Sequence, residues 1–305
     1  MPLTPYPNGI SSFGMPVLGS GGALTTGSVF FVSSTTVGAS DGNLGTSPDK
    51  PLATLDYAIG KCTASVGDMI FVMPGHAETI TSAVTCDIIG VQIIGLGVGR
   101  NIPTFTGSGA IDVFTVTAAS VWLQNLRVVG ASASVTALIN IAAADLEVIN
   151  CRFTQAETPL SAITVASGGH RFHFQGCRFT STANGPDHAF DFETSASDNW
   201  IVEDCFFNWM TDGLDNAVFR ANADATSGGI IKRCTAIGLD AAALFVDFNS
   251  SHSVGEGLIV DCAWQHLAAA TIANGLDLGG MGTARVSASD GPNAGAILLP
   301  ATSAS

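Results

Sequence analysis

Cys151, Cys177, Cys205, Cys234 and Cys262 follow one another at intervals of 26, 28, 29 and 28 residues. Each belongs to a similar phrase: Leu146-Glu-Val-Ile-Asn-Cys-Arg-Phe153, Phe172-His-Phe-Gln-Gly-Cys-Arg-Phe179, Trp200-Ile-Val-Glu-Asp-Cys-Phe-Phe207, Gly229-Ile-Ile-Lys-Arg-Cys-Thr-Ala236 and Leu258-Ile-Val-Asp-Cys-Ala-Trp264. Val121-Trp-Leu-Gln-Asn-Leu-Arg-Val128 keeps the register with Leu126 in place of cysteine, and Val91-Gln-Ile-Ile-Gly-Leu-Gly-Val98 reads as a still earlier turn. Within a phrase apolar residues alternate, a small or polar residue intervenes, and alternation resumes, which describes two short strands meeting at a bend. A third short strand precedes each phrase: Phe114–Val116, Leu138–Ile141, Ile163–Val165, Phe190–Phe192, Val218–Phe219 and Leu244–Val246. Three strands per repeat, at a period of ~25–30 residues, predict an all-β, single-stranded parallel β-helix.

The cysteines follow from this architecture. In Cys151-Arg152-Phe153 the outer two residues share a face, and Phe153, Phe179, Phe207 and Trp264 are too apolar for solvent, so the thiols point inward. Stacked turns place them in a line, whereas zinc needs four ligands converging on a point. We therefore expect buried, unbridged thiols and no metal. Seven cysteines in 305 residues is odd in number and sparse for a disulfide scaffold.

Composition narrows the function. Lys and Arg number 11 against 25 Asp and Glu, a net charge of −14, so a phosphate backbone would be repelled and nucleic acid is not an expected partner. No uninterrupted apolar run reaches the ~18 residues of a membrane-spanning helix, and no membrane partner is expected. The first basic residue is Lys50, so the start lacks the positive region of a secretory signal.

Ahead of the repeats, Leu52, Leu55, Ala58, Ile59 and Cys62 recur at helical spacing, predicting a helix over 52–62 that covers the open end of the solenoid. We expect the β-helix domain over 29–275. Residues 1–28 are proline- and glycine-rich without a charge, and residues 276–305 lack a repeat phrase, so both read as extended arms. Phe13, Met15, Val17 and Leu18 need a partner to bury them.

The stretch Phe31-Val-Ser-Ser34, Asp41-Gly-Asn43, Ser47-Pro-Asp-Lys-Pro-Leu-Ala-Thr-Leu-Asp-Tyr-Ala58 and Gly67-Asp-Met-Ile-Phe-Val-Met-Pro-Gly75 resembles the opening of pectin-lyase-like right-handed β-helix proteins. With Pro74-Gly-His-Ala-Glu-Thr-Ile80 and Pro7-Asn-Gly-Ile-Ser-Ser-Phe-Gly-Met-Pro-Val-Leu-Gly19 it is similar to virion proteins of tailed bacteriophages. The resemblance covers about 29–275 and is specific for fold, weak for function. It implies a right-handed helix and a homotrimer. It implies a decoration (cement) protein bound to the major capsid protein on the outer capsid surface, made in the host cytoplasm. The alternative is a tailspike or tail-fibre type that binds or cleaves host surface polysaccharide.

Catalytic and cofactor signals are not found, and a non-enzyme is expected. A hydrolase needs two carboxylates facing one groove, ~5–9.5 Å apart. Asp187, Asp191, Glu193, Asp198, Glu203, Asp204, Asp212 and Asp215 crowd one region. Asp191 faces outward between Phe190 and Phe192, but the matching outward positions read as Thr164 and, two turns on, Phe245. His170 and His173 lie on opposite faces of a strand and cannot share an ion. His76 and Glu78 read as turn residues, and Asp41-Gly-Asn43 lacks the further oxygens of a calcium loop. What remains is an outward column of Arg127, Arg152 and Arg178, which reads either as splayed, solvated side chains with Glu147 nearby or, more sharply, as a subunit or capsid contact; Trp122 and Trp209, also read as outward, suggest a covered face.

Overall fold

The computed structural model describes residues 11–12, 15–16, 25, 27–155, 161–182, 186–192, 197–209, 216–221, 228–239, 243–248, 257–266, 276–277 and 284–290. Its body is a parallel β-helix. A central turn contributes one strand to an 8-stranded sheet and two to a 17-stranded sheet. Ala137–Ile141, Glu147–Ile149 and Arg152–Gln155 form one such turn, and Ser161–Val165, His173–Gln175 and Arg178–Ser181 the next. Register between them is in phase throughout: Ile139 opposite Ile163, Val148 opposite Phe174, Phe153 opposite Phe179.

The bend between the two strands of each phrase is a left-handed backbone position. Asn125, Asn150, Gly176, Asp204, Arg233 and Asp261 hold it, with φ between 51° and 65°. Asn, Asp and Gly tolerate that region; arginine does so at a cost. Arg233 is held there by Asp204 and Glu203 of the turn before, donating to Asp204 Oδ1 at 2.6 Å and to Glu203 Oε2 at 2.9 Å. Arg171 (φ 51°) is held likewise by Asp145, at 2.7 and 2.9 Å.

Inside, aromatic rings stack at the rise of the helix. Phe153, Phe179 and Phe207 follow one another at 4.7 and 4.8 Å between centroids, matching the ~4.8 Å spacing of strands. The seven cysteines are free and buried. In the column each thiol donates to carbonyls already engaged in the ladder, Cys151 to Leu123 O at 3.7 Å and to Ile149 O at 3.6 Å. Trp209, read from sequence as part of an outward face, is instead fully buried and stacked on Phe207 at 5.5 Å. The alternation that turns Cys205 and Phe207 inward carries on to it.

The shorter sheet departs from simple alternation. Two successive residues point inward at the start of each strand: Ala162 and Ile163, Ala189 and Phe190, Val218 and Phe219, Phe245 and Val246. Phe245 is therefore a core residue. The outward position two turns beyond Asp191 is Asp247, which pairs with Arg220, which pairs with Asp191.

The expected helix over 52–62 is shorter, Leu55–Ile59, with Leu55, Ala58 and Ile59 buried against the first strands. Leu52 instead forms a bridge with Val32, and Asp41 Oδ1 accepts from the N–H groups of Ala53 and Thr54 at 2.9 and 3.0 Å. His76 and Glu78 lock this cap. The buried His76 accepts from Ser34 N–H at Nδ1 (2.9 Å), so its Nε2 donates to Glu78 Oε2 (3.1 Å), which also accepts from Leu55 N–H. Pairing runs past the boundary expected at 275, with Leu276–Asp277 and Ala284–Asp290 adding to the two sheets. At the other end Ser28 N–H already donates to the buried Asp68. Within the expected N-terminal arm Ser11–Ser12 pairs with Met15–Pro16, while Phe13, Val17 and Leu18 lie outside the described residues. No helix among the described residues is long and apolar enough to cross a membrane.

Candidate functional site

The outward face of the shorter sheet carries a groove of about 370 Å³. Two columns line it: Thr136 and Asp112 with Ser161 and His188, then Asn140, Thr164, Asp191 and Arg220, with Asp187 at its edge. The paired inward residues of the shorter sheet create it, since the residues flanking each pair face out. Asn140 Nδ2 donates to Asp112 Oδ2 at 2.8 Å, and Thr136 Oγ1 donates to Asp112 Oδ1. Arg220 Nη1 lies 3.0 Å from His188 Nε2 and 3.9 Å from Asp191 Oδ2. Because guanidinium only donates, His188 Nε2 is the acceptor and the imidazole carries its proton on Nδ1. Asp191 Oδ2 also accepts from Ser161 Oγ at 3.4 Å.

Two acceptors in this groove are buried without a donor among the described residues, Asn140 Oδ1 and Asp191 Oδ1. Burial, helped by the nearby Asp187, raises the Asp191 carboxyl above its ordinary range; Arg220 and Ser161 oppose the rise. Asp187 and Asp191 thus bring two carboxyl groups to one groove, which the strand-by-strand reading of the sequence had missed. The signal was divided among residues 112 to 220. Of the other acids singled out, Glu203 and Asp204 are held below their ordinary ranges, Glu203 chiefly by Lys232 and Asp204 by Arg233. Glu193, Asp212 and Asp215 lie outside the described residues.

The thiols of the cysteine column are free and buried. Burial pushes the Cys151 thiol up to about 12. The Cys205 thiol, also mainly through burial, is raised well above its ordinary value. At pH 8 a thiol at ~12 is ionised in about one molecule in ten thousand, and the thiolate is the reactive form. A thiol reagent is therefore expected to label almost nothing in the native protein and all seven cysteines after denaturation. Fast labelling of most thiols in native protein would contradict the packing described. His170 and His173 engage separate partners. His173 sits between Glu147 Oε2 (3.0 Å) and Glu203 Oε1 (3.3 Å), whereas His170 accepts from Asp198 N–H at 3.2 Å.

On the longer sheet, Arg127, Arg152 and Arg178 stand in strict register on three successive turns. No acid pairs with them among the described residues, in contrast with Arg171, Arg220, Lys232 and Arg233. Trp122 faces outward on the neighbouring column, its Nε1 donating to Gln124 Oε1 at 3.3 Å. Higher on that column Ile201, Ile230 and Leu258 align, with Phe206 above Arg178, all partly exposed in the single chain.

No protein-family model and no curated protein matches the chain. Among solved structures, a rhamnogalacturonan lyase is similar at 14% identity over 78% of this chain and 74% of its own, with a TM-score of 0.49. A protein described as Geobacillus virus E2 ORF18 is similar at 15% identity over 77% of this chain and 56% of its own, with a TM-score of 0.33.

Proposed function

We propose that the chain is a non-enzymatic structural protein of a bacteriophage particle: a homotrimeric decoration protein on the outer capsid surface, bound to the major capsid protein. The observation that carries this reading is the outward column of Ile201, Ile230 and Leu258 with Phe206 beside it. Aligned apolar side chains on a flat sheet face mark contact with another surface. The sequence resemblance to virion proteins supports the same reading. Attachment falls to the N-terminal arm, where Phe13, Met15, Val17 and Leu18 gain ~1.5–3 kcal/mol each on full burial, against ~1–2 kcal/mol per residue ordered. One arm is marginal on that arithmetic, and three arms on a trimer bind through avidity. Deleting residues 2–20 is expected to leave a folded protein that no longer coats particles; undiminished capsid occupancy would refute the arm.

A second reading is favoured by the groove: Asp187, Asp191 and His188 lining one groove suit a tailspike-type protein that binds or cleaves host surface polysaccharide. Incubation with that polysaccharide followed by size analysis separates the two. Depolymerisation that disappears in Asp191→Asn would replace the structural reading.

A further inference from the structure

We propose that Arg127, Arg152 and Arg178 of one copy seat in the groove lined by Asp112, Asn140, Asp187 and Asp191 on the next copy, each contact repeating around a closed ring. This rests on the trimeric structural reading above.

The argument begins with what each face lacks. Three guanidinium groups in a strand ladder repel one another unless something anionic covers them. In a chain of net charge −14, with Arg171, Arg220, Lys232 and Arg233 matched to acids of adjacent turns, these three have no such partner among the described residues. The groove shows the converse. Asn140 Oδ1 and Asp191 Oδ1 are buried acceptors without donors among the described residues, and the carboxyl groups of Asp112 and Asp191 line the groove with the guanidinium of Arg220. Arg220 is already engaged with Asp191 Oδ2 and His188, leaving the buried Asp191 Oδ1 without a donor among the described residues. A buried acceptor without a donor is costly, and a guanidinium supplies five donors and needs no acceptor. Arrival of that positive charge also favours the ionised form of Asp191, which burial alone opposes.

Symmetry supplies the occupant. Rotation about an axis parallel to the solenoid leaves every residue at its own height, so side-by-side copies bring together faces from the same turns. Asp112 opens the turn that Arg127 closes, and Asn140 opens the turn that Arg152 closes. Ser161 opens the turn of Arg178, with Asp191 one strand spacing above, or ~4.8 Å. Asp112 and Asn140 therefore share the levels of Arg127 and Arg152, and Asp187 and Asp191 stand one turn above Arg178, so the basic column and the acidic groove overlap in height on different faces of one chain, as a heterologous contact that closes into a ring requires.

The test uses two variants, one without the basic column (Arg127→Gln, Arg152→Gln, Arg178→Gln) and one without the groove charges (Asp112→Asn, Asp187→Asn, Asp191→Asn). Light scattering should find wild type at three chains, each variant at the single-chain 31.0 kDa, and their mixture at two chains, since one intact contact remains between them. Circular dichroism confirms that each is folded; the arginine variant, altered only on the surface, carries the test if the groove variant is not. A wild type of one chain would remove the trimer itself. A trimeric wild type whose arginine variant stays trimeric, or two monomeric variants that do not pair, would overturn this contact alone.

Discussion

Phe190→Ala is expected to destabilise the solenoid by about 3–5 kcal/mol, the usual cost of emptying a buried phenylalanine site. Phe190 is fully buried at the corner of the shorter sheet and meets five rings. It lies edge-on to Phe174 at 5.0 Å, tilted to Phe179 at 5.6 Å and stacked on Phe219 at 5.2 Å. Those partners come from turns on either side, so a cavity there loosens three turns together. Because repeats contact only their neighbours, the loss stays local. Hydrogen exchange should rise most between residues 161 and 221, and the urea midpoint should fall. A stability change below about 1 kcal/mol would mean that the column closes over the gap, contrary to the close packing of interiors.

Gly95→Ala acts by a different route and is expected to cost about 3 kcal/mol, the upper end for forced overpacking. A Cβ at position 95 would lie 2.2 Å from Asn125 O, a backbone atom of the next turn that cannot swing aside. Asn125 is fixed twice over. It occupies the left-handed bend at φ 55°, and its Nδ2 donates to Gly95 O at 2.7 Å and to Gly97 O at 3.0 Å. Relieving the clash therefore breaks the hydrogen bonds that seat one turn on the other. Gly42→Ala is the control, its Cβ meeting only Ser40 Oγ at 3.4 Å, and should change stability by less than ~0.5 kcal/mol. Equal effects from the two substitutions would show that close stacking at residue 95 does not limit stability.

The solenoid was legible in the sequence because its signal is local and repeated. Cys151-Arg152-Phe153 and its counterparts each state the same in–out–in order. The shorter sheet was legible in place but not in detail. Alternation counted outward from Phe190 and Phe192 set Asp191 correctly, yet the same rule gave Phe245 to solvent, because paired inward residues at the corner shift the phase by one. That corner is a property of how a turn closes in three dimensions. The groove stayed hidden for a related reason: Asp112, Asn140, Ser161, Asp191 and Arg220 come from five separate turns, and no short window contains more than a fragment of them. His76 and Glu78 show the limit from the other side. Their proximity in sequence was plain, but their role depends on Ser34 and Leu55, which only folding brings near.

The central claim is that this β-helix is a structural element of a phage head, and its position on the particle tests it most directly. Electron cryomicroscopy of intact particles, compared with particles assembled without the protein, should show column-shaped density of threefold symmetry on the outer face of the capsid, present only when the protein is. Density confined to the tail, with the head surface unchanged between the two preparations, would contradict it.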